Sequence, residues 1–318
     1  MTQFFRKWFN PSSKDKVEKH SSPKSTVESS EVFVDSPAFL DKLPVEGTVE
    51  LGKKSQPVEI QKDRQVAAFA RSVGVQRDHN EDSLFSMTAV LANEQKIYNF
   101  GLYVVADGMG GHMHGELASG IAVKSVSNYL IRNLFMPLVE RTNQDPDTSL
   151  LQLMQSACKE AHQAVASNAP GGGTTLTAIL ILDDQVVIAH IGDSRAYRIT
   201  PPDGIQALTR DHSLVRKLIE IGQITPDQAA YHPQRNVLYR ALGQGETIEA
   251  DIQVISKPSS GYLLICSDGL WGLVAENELL RIVTTSASPQ EACQLLVETA
   301  NASGGPDNIT AIVVHLIG

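Results

Sequence analysis

The sequence predicts an α+β domain with layered antiparallel sheets, because closely spaced strand-like segments alternate with pairs of helix-like segments. Three strand-like segments follow one another with only turn residues between them: 174–182, 185–191 and 195–199. Links this short join antiparallel neighbours, since a parallel crossover needs about a dozen residues or more. Apolar residues at helical spacing occur in four segments: 115–134, 148–166, 276–284 and 289–302. This pattern favours α+β layers over alternating βαβ units.

The remaining elements follow from alternation, apolar runs and capping residues. Further strands are expected at 66–72, 102–106, 248–255, 262–267 and 308–316. Asp147 or Thr148 is available to cap the second long helix. A short helix is expected at 214–221, and another begins after Thr225 with Pro226 at its first position.

The chain divides into a tail and a folded part. Residues 1–62 are predicted to be a disordered tail and linker, because polar and charged residues dominate there without helical or strand periodicity. Residues 63–318 are predicted to form one domain with a flap at about 211–245, where the pattern becomes mixed. The aromatic and basic stretch at 4–9 suits contact with a membrane surface or a partner, or has no function.

Charge and cysteine content exclude several classes of protein. Residues 1–60 carry nine Lys/Arg and nine Asp/Glu, so the rest of the chain holds 18 basic and 27 acidic side chains. A surface with this acidic excess does not suit nucleic acid. The 3 cysteines are too few and too far apart for a disulfide framework or a zinc cluster, which favours a reducing compartment. We find neither an apolar run long enough to cross a bilayer nor a signal-peptide pattern, and therefore expect a cytoplasmic protein without a transmembrane segment.

Aspartates recur at the ends of predicted strands. Asp107 follows the apolar run 102–106, and Asp193, Asp268 and Asp307 stand at similar positions. Each alone is typical of a turn or a helix cap. If these strand ends share one edge of two stacked sheets, the carboxylates converge, and two of them about 4 Å apart repel by about 4 kcal/mol at an effective dielectric of about 20. Such a group requires a cation, and oxygen ligands without Cys or paired His favour Mg²⁺ or Mn²⁺.

Seven motifs occur in order along the chain: Arg77 with 80–82, then 107–112, 171–175, 192–195, 211–212, 267–269 and 307–308. The first, taken alone, is typical of a solvated charged loop. In combination, over residues 65–318, the motifs resemble the metal-dependent protein phosphatases of type 2C, specifically the bacterial branch. The resemblance implies a four-layer α-β-β-α sandwich with two central antiparallel β-sheets. It also implies a protein serine/threonine phosphatase that hydrolyses phosphoserine and phosphothreonine monoesters.

The resemblance assigns a two-metal centre of Mn²⁺ or Mg²⁺ with a weaker third ion. Its expected ligands are Glu81, Asp82, Asp107, Gly108, Asp193, Asp268 and Asp307. Asp107 would bridge both ions and Asp268 with Asp307 would complete one site. The Gly108 carbonyl and the acidic pair 81–82 would serve the other. Asp193 with Asp268 would hold the third ion. Arg77 would grip the substrate phosphate, since its planar fork suits two oxygens at once.

The expected chemistry is attack on phosphorus by a bridging water whose pKa the two ions lower. The proton donor for the leaving oxygen is the open point. Met109 stands where a histidine follows Asp-Gly in the best-studied eukaryotic members, and His112 is the nearest substitute. His112 is assigned as catalytic together with Arg77, with a metal-bound water and a purely structural role for His112 as the alternatives.

Two other functions stay open at this point. One is a non-catalytic regulator or scaffold, against which the complete acidic set argues. The other is a two-metal nuclease or small-molecule phosphohydrolase, against which the acidic domain and the motifs argue. Phosphoproteins, with serine/threonine kinases among them, are the expected partners of a monomeric enzyme. In the flap, Asp211, His212, His232 and Arg235 are expected to stabilise the local conformation.

Overall fold

Strands and helices are described by a computed structural model over residues 64–92, 96–110, 113–140, 149–201 and 203–318. The predicted tail and linker, 1–62, lies outside these residues. The strands are β1 Arg64–Ser72, β2 Asp82–Ala92, β3 Ile97–Met109, β4 Gly173–Thr174, β5 Leu176–Leu182, β6 Gln185–Ile191, β7 Arg195–Thr200, β8 Gly204–Ala207, β9 Asp251–Ser256, β10 Gly261–Cys266 and β11 Ile309–Ile317.

The strands form two antiparallel sheets. Among the described residues, one sheet has the order β1-β11-β10-β7-β8 and the other the order β2-β3-β5-β6-β9, with β4 paired to β3. The helices are α1 Met113–Leu130, α2 Met136–Glu140, α3 Leu150–Asn168, α4 Leu214–Glu220, α5 Pro226–Ala230, α6 Asp268–Trp271, α7 Glu276–Thr285 and α8 Pro289–Ala302. A π-helical turn, Ile131–Phe135, joins α1 to α2.

Alternation along the strands divides the core into three layers of side chains. Val105 on β3 packs with Ile265 and Ile312 between the two sheets. Its neighbour Val104 points to the opposite face and belongs to the cluster that α1 and α3 cover, because successive strand residues face opposite sides. A third cluster lies under α7 and α8, with Ala311 on the outer face of β11. The order helix, sheet, sheet, helix confirms the predicted four-layer fold.

Two expectations were wrong in detail. The cap of α3 is Ser149, whose Oγ accepts from Gln152 N at 3.3 Å while Gln152 Oε1 accepts from Ser149 N at 3.4 Å. This reciprocal capping box needs Gln three residues after the cap, which neither Asp147 nor Thr148 has.

The strand β2 was not predicted. The acidic pair that ends the first motif was placed in a loop, but Asp82 begins β2. This edge strand of its sheet is half-buried along most of its length, and its mixture of Ser, Met, Thr and Ala hides the alternation. The short strand β8 was also missed. By contrast, α5 begins as expected, with Thr225 as its cap and Pro226 at its first turn.

Candidate metal and phosphate site

Five predicted aspartates lie at the ends of strands or next to them. Asp82, at the start of β2, is directly opposite Asp107 on β3 in the antiparallel register. Asp268 follows β10, Asp307 precedes β11, and Asp193 lies in the turn between β6 and β7. Like charges directly opposite each other across a ladder are destabilising, so the pairing of Asp82 with Asp107 needs a compensating partner.

Asp82 connects the two sheets through one carboxylate oxygen. Its Oδ2 accepts hydrogen bonds from Ser267 Oγ at 2.8 Å and from Thr310 Oγ1 at 2.6 Å, both on the opposite sheet's side of the site. Ser267 Oγ in turn accepts from Thr310 N at 3.0 Å. Asp82 Oδ1 is buried and has no hydrogen-bond partner in the part of the chain that the structure describes. The side chain is therefore oriented by one oxygen and leaves the other unsatisfied.

Asp268 has the same unusual feature, since its Oδ1 is buried without a hydrogen-bond partner among the described residues. Burial is also the largest cause that raises the pKa of Asp268, to about 6, and repulsion from Asp307 adds to it. The pKa of Asp82 rises to about 7 for the same two reasons, with Asp268 as the first charged neighbour. The two carboxyls thus share a buried acidic environment.

Asp107 and Asp193 complete this acidic environment. Burial raises the pKa of Asp107 well above its ordinary value, and repulsion from Asp82, Asp268, Asp193 and Asp307 raises it further. Burial and repulsion from Asp268 likewise raise the pKa of Asp193. Mutual repulsion of this kind means that the carboxylates need protons or cations to remain buried together.

A divalent cation suits this donor set, because every side-chain donor is a hard carboxylate oxygen and two of those oxygens have no hydrogen-bond partner among the described residues. Among the described residues, however, no three Asp, Glu, His or Cys side chains are placed so that they enclose one ion. The carboxylates are close enough to repel, but their oxygens do not converge on a single point. A shared ion therefore requires rotation of some of these side chains.

Glu81 and Gly108 are joined to each other by a main-chain hydrogen bond. Gly108 N donates to Glu81 O at 3.2 Å, and Glu81 Oε1 lies 3.1 Å from His79 Nε2. Gly108 also approaches α1 so closely that an added Cβ would lie 2.1 Å from the Gly115 carbonyl oxygen. The Glu81 amide donates to Asn308 Oδ1 at 2.7 Å, which ties this strand start to the segment before β11. The position of Gly108 therefore demands glycine, whatever its carbonyl binds.

Arg77 lies beside the aspartates at the surface. Its Nη2 donates to Asp307 Oδ2 at 2.9 Å, with the two side chains 45% and 34% exposed. Its Nε donates to the Pro306 carbonyl at 3.4 Å. The positive charge of Arg77 also lowers the pKa of Asp268 in opposition to burial. Arg77 is thus within reach of the acidic group and accessible from solvent.

The Asp193 turn is held by residues from three other segments. Trp271 Nε1 donates to Asp193 O at 2.9 Å, and the Arg195 guanidinium lies 3.5 Å from the centre of the Trp271 ring. Arg195 forms a two-point ion pair with Asp211, at 2.9 and 2.7 Å. This ion pair ties Asp211, at the start of the flap, to the first residue of β7. His212 contacts the same turn at Gly192.

Two site residues stand apart from the rest: one was predicted from the sequence but lies outside the described residues, and the other contacts the site but was not predicted. His112 lies outside the described residues. Thr310, which orients Asp82, was not singled out, although it is a polar residue on the second position of the otherwise apolar strand 309–314. A threonine at a buried position of such a strand was the available signal, since a buried hydroxyl needs a partner.

The sequence profile of the family described as protein phosphatase 2C matches residues 75–302. The chain belongs to the protein phosphatase 2C family. Members of this family are metal-dependent hydrolases, and this type 2C protein is accordingly a serine/threonine phosphatase. The family membership confirms the resemblance seen in the motifs.

Relatives of this type 2C phosphatase include bacterial serine/threonine phosphatases. It is 37% identical over 251 residues to the serine/threonine phosphatase stp of Listeria innocua, covering 78% of this chain and 95% of that protein. The crystal structure of the serine/threonine phosphatase PstP/Ppp of Mycobacterium tuberculosis is similar with a TM-score of 0.66 and 31% identity, over 80% of this chain and 99% of that one. A PstP catalytic domain crystallised with 2 manganese ions is similar with a TM-score of 0.64 and 29% identity, over 80% and 99% of the two chains.

The described part of this phosphatase contains no helix that is long and apolar enough to span a membrane.

Proposed function

We propose that this phosphatase hydrolyses phosphoserine and phosphothreonine monoesters at a two-metal centre of Mn²⁺ or Mg²⁺, built where its buried aspartates meet. The observation that supports this most is the pair of buried oxygens, Asp82 Oδ1 and Asp268 Oδ1, which have no hydrogen-bond partner among the described residues. Burying a charged oxygen without a hydrogen-bond partner costs roughly several kcal/mol in the interior of a protein. A bound cation would remove that cost for each carboxylate whose side chain rotates to reach it.

The proposed ligands are those that the motifs assign: Glu81, Asp82, Asp107, Gly108, Asp193, Asp268 and Asp307. Asp107 is central among them, because the charges of Asp82, Asp268, Asp193 and Asp307 all act on it. That position supports Asp107 as one of the residues that would hold the ions. After burial, repulsion from Asp268 is the largest cause that raises the pKa of Asp193, which supports this pair as the weaker third site.

When bound, the ions supply an activated water and positive charge for an in-line displacement at phosphorus. The chain's own residues bind the phosphate of the substrate and orient the metal ligands. Arg77 lies at the exposed edge of the acidic group, and Asp307 and the Pro306 carbonyl hold its Nη2 and Nε. A guanidinium in this place suits the two oxygens of a phosphate monoester that approaches from solvent. Ser267 and Thr310 orient Asp82 through its Oδ2 and leave its Oδ1 without a hydrogen bond among the described residues.

Replacement of Asp268 by Asn tests the proposal. The variant keeps the shape of the side chain but removes a charge that the cation needs, so Mn²⁺-dependent release of phosphate from a phosphothreonine peptide should be lost. Asp184→Asn is the matched control, since Asp184 is exposed in the turn between β5 and β6 and remote from the Asp193 end of β6. Full activity of Asp268→Asn would refute the assignment, and an inactive wild type would favour a scaffold.

A substrate panel separates protein phosphatase from the other hydrolases that use carboxylate-held ions. Phosphopeptides, mononucleotides and oligonucleotides are offered at equal concentration with Mn²⁺. The proposal expects release from the phosphopeptides and at most slow release from the others, because an acidic domain repels polyanions. Preferential cleavage of the oligonucleotide would identify a nuclease instead.

The remaining assignments are proposals of the same kind. We propose residues 63–318 as the catalytic domain and 211–245 as a flap that influences substrate choice. We further propose a cytoplasmic monomer whose partners include serine/threonine kinases. His112 is proposed as the proton donor to the leaving oxygen. His112→Gln should then slow the hydrolysis of phosphopeptides, whose leaving groups are poor, more than the hydrolysis of aryl phosphates.

A further inference from the structure

Gly192, in the turn between β6 and β7, forms two hydrogen bonds with His212 of the flap, one through its carbonyl oxygen and one through its amide. His212 N donates to Gly192 O at 2.7 Å, and Gly192 N donates to His212 Nδ1 at 3.1 Å. The second contact requires Nδ1 to be an acceptor. The neutral ring therefore carries its proton on Nε2, which lies 3.1 Å from Asp251 Oδ2 on β9. Asp251 thus selects the tautomer that Gly192 needs.

The ring of His212 is fixed by its surroundings. Its side chain is only 1% exposed. The His190 ring packs against it with centroids 4.9 Å apart, and the Tyr239 ring lies 5.5 Å away on the flap. His190 is itself held by Thr177 Oγ1 at 3.0 Å and the Arg210 carbonyl at 3.1 Å. A ring enclosed in this way is inaccessible to substrate and has one available orientation.

Gly192 has little freedom to move when this contact holds. Its φ is +102°, and an added Cβ would lie 2.7 Å from Thr175 Cβ. On the other side of the turn, Trp271 Nε1 donates to the Asp193 carbonyl at 2.9 Å. The main chain of Gly192 and Asp193 is therefore held from the flap and from α6, and the Asp193 side chain is buried close enough to Asp268 to be repelled by it.

We propose that His212 is a positioning residue that fixes the Gly192–Asp193 turn and thereby sets the affinity of the weaker metal site to which Asp193 belongs. This inference rests on the proposed function, because it takes Asp193 as a ligand of that site. Asp251 contributes by holding the His212 proton on Nε2. The flap is thus linked to the acidic group through one buried imidazole.

Two substitutions of His212 each keep one of its two side-chain hydrogen bonds and remove the other. In His212→Asn the side-chain oxygen can take the place of Nδ1 and still accept from Gly192 N, whereas the contact with Asp251 is lost. In His212→Gln the longer amide can reach toward Asp251 from the place of Nε2, but the acceptor for Gly192 N is lost. Both remove the ring and its packing against His190, so a purely structural role predicts similar defects in the two variants.

The first measurement needs neither metal nor activity. Hydrogen exchange of the full chain, read on the peptide that contains Gly192, should be faster by about tenfold in His212→Gln, as expected when one hydrogen bond of ordinary strength is lost. His212→Asn should exchange at close to the wild-type rate. Equal acceleration in both variants, or none in either, would overturn the inference.

The second measurement is calorimetric titration with Mn²⁺. We expect His212→Gln to weaken the lower-affinity binding event by about tenfold, the smaller end of the loss seen when a residue supporting a metal ligand is removed. The higher-affinity events and the values for His212→Asn should stay within about twofold of wild type, a difference below 1 kcal/mol. Equal weakening of all events would overturn the inference. If wild type binds Mn²⁺ but releases no phosphate from phosphopeptides, the proposed function fails. The hydrogen-exchange and Mn²⁺-binding measurements on the two variants still decide the role of His212 in that case.

Discussion

The buried aspartates make the stability of the metal-stripped phosphatase depend on pH in an unusual direction. Burial raises the pKa of Asp82 from 3.8 to about 7, so the folded protein binds this proton more tightly than the unfolded chain does. The stabilising contribution is complete below pH 3.8 and is lost as the pH rises through about 7. Most carboxylates in proteins behave in the opposite way, because ion pairs and hydrogen bonds lower their pKa.

The size of the effect follows from the shift. One pKa unit corresponds to about 1.4 kcal/mol, so ionising Asp82 alone costs on the order of 3 kcal/mol between pH 5 and pH 8. A domain of this size loses roughly 2–4 °C of melting temperature for each kcal/mol. We therefore expect the EDTA-treated protein to melt roughly 10 °C lower at pH 8 than at pH 5, as followed by circular dichroism.

Mn²⁺ and one substitution serve as the controls for this prediction. At pH 8, Mn²⁺ at about 100 times its dissociation constant should restore about 2.7 kcal/mol, because it binds the folded state alone. Asp82→Asn cannot ionise and should show a smaller loss between the two pH values. A melting temperature that is constant or rises from pH 5 to pH 8 in EDTA would refute the reasoning, since it would mean that the carboxylates are not buried as a repelling group.

Three further substitutions test separate contacts. Arg77→Lys keeps the charge but not the fork and should raise KM for a phosphopeptide by about tenfold with a smaller change in kcat; an unchanged KM would remove Arg77 from phosphate binding. Gly108→Ala should cost more than about 2 kcal/mol in urea unfolding, because the added Cβ would lie 2.1 Å from the Gly115 carbonyl oxygen, and a neutral result would show that α1 can move away. Thr310→Val should cost about 1–2 kcal/mol, since Asp82 loses a donor at 2.6 Å, whereas Thr310→Ser should cost less; equal costs would mean that packing rather than the hydroxyl matters.

Local patterns predicted most of the elements correctly, and the failures share a cause. The strand 185–191 and the helix 289–302 have the predicted bounds, because alternation and a helix-start proline are local signals. The strand β2 was missed because only its neighbour β3 and the helix α1 decide which of its residues are buried. The cap of α3 was misplaced by one or two residues, since the choice among consecutive polar residues depends on which of them can close a reciprocal bond with Gln152.

In the candidate site, too, local features of the sequence were predicted and contacts between distant segments were not. Strand-end aspartates could be found in the sequence, because their residue type and their position after apolar runs are local facts. The partners of those aspartates could not, since Thr310 meets Asp82 only where two sheets stack and His212 meets Gly192 only where the flap returns. Both contacts join residues far apart in the chain, and no periodicity encodes them.

The sequence by itself determined the layered fold class, the family and the set of acidic residues, because each depends on residue types in order along the chain. The tertiary structure alone decided that Asp82 Oδ2 is satisfied while its Oδ1 has no partner among the described residues, and that Arg77 rests on Asp307. It also decided that an imidazole from the flap holds the Asp193 turn. The physical reason is that burial and hydrogen-bond partnership are properties of surfaces brought together by folding, and a carboxylate has an unusual pKa only after its neighbours have been placed around it.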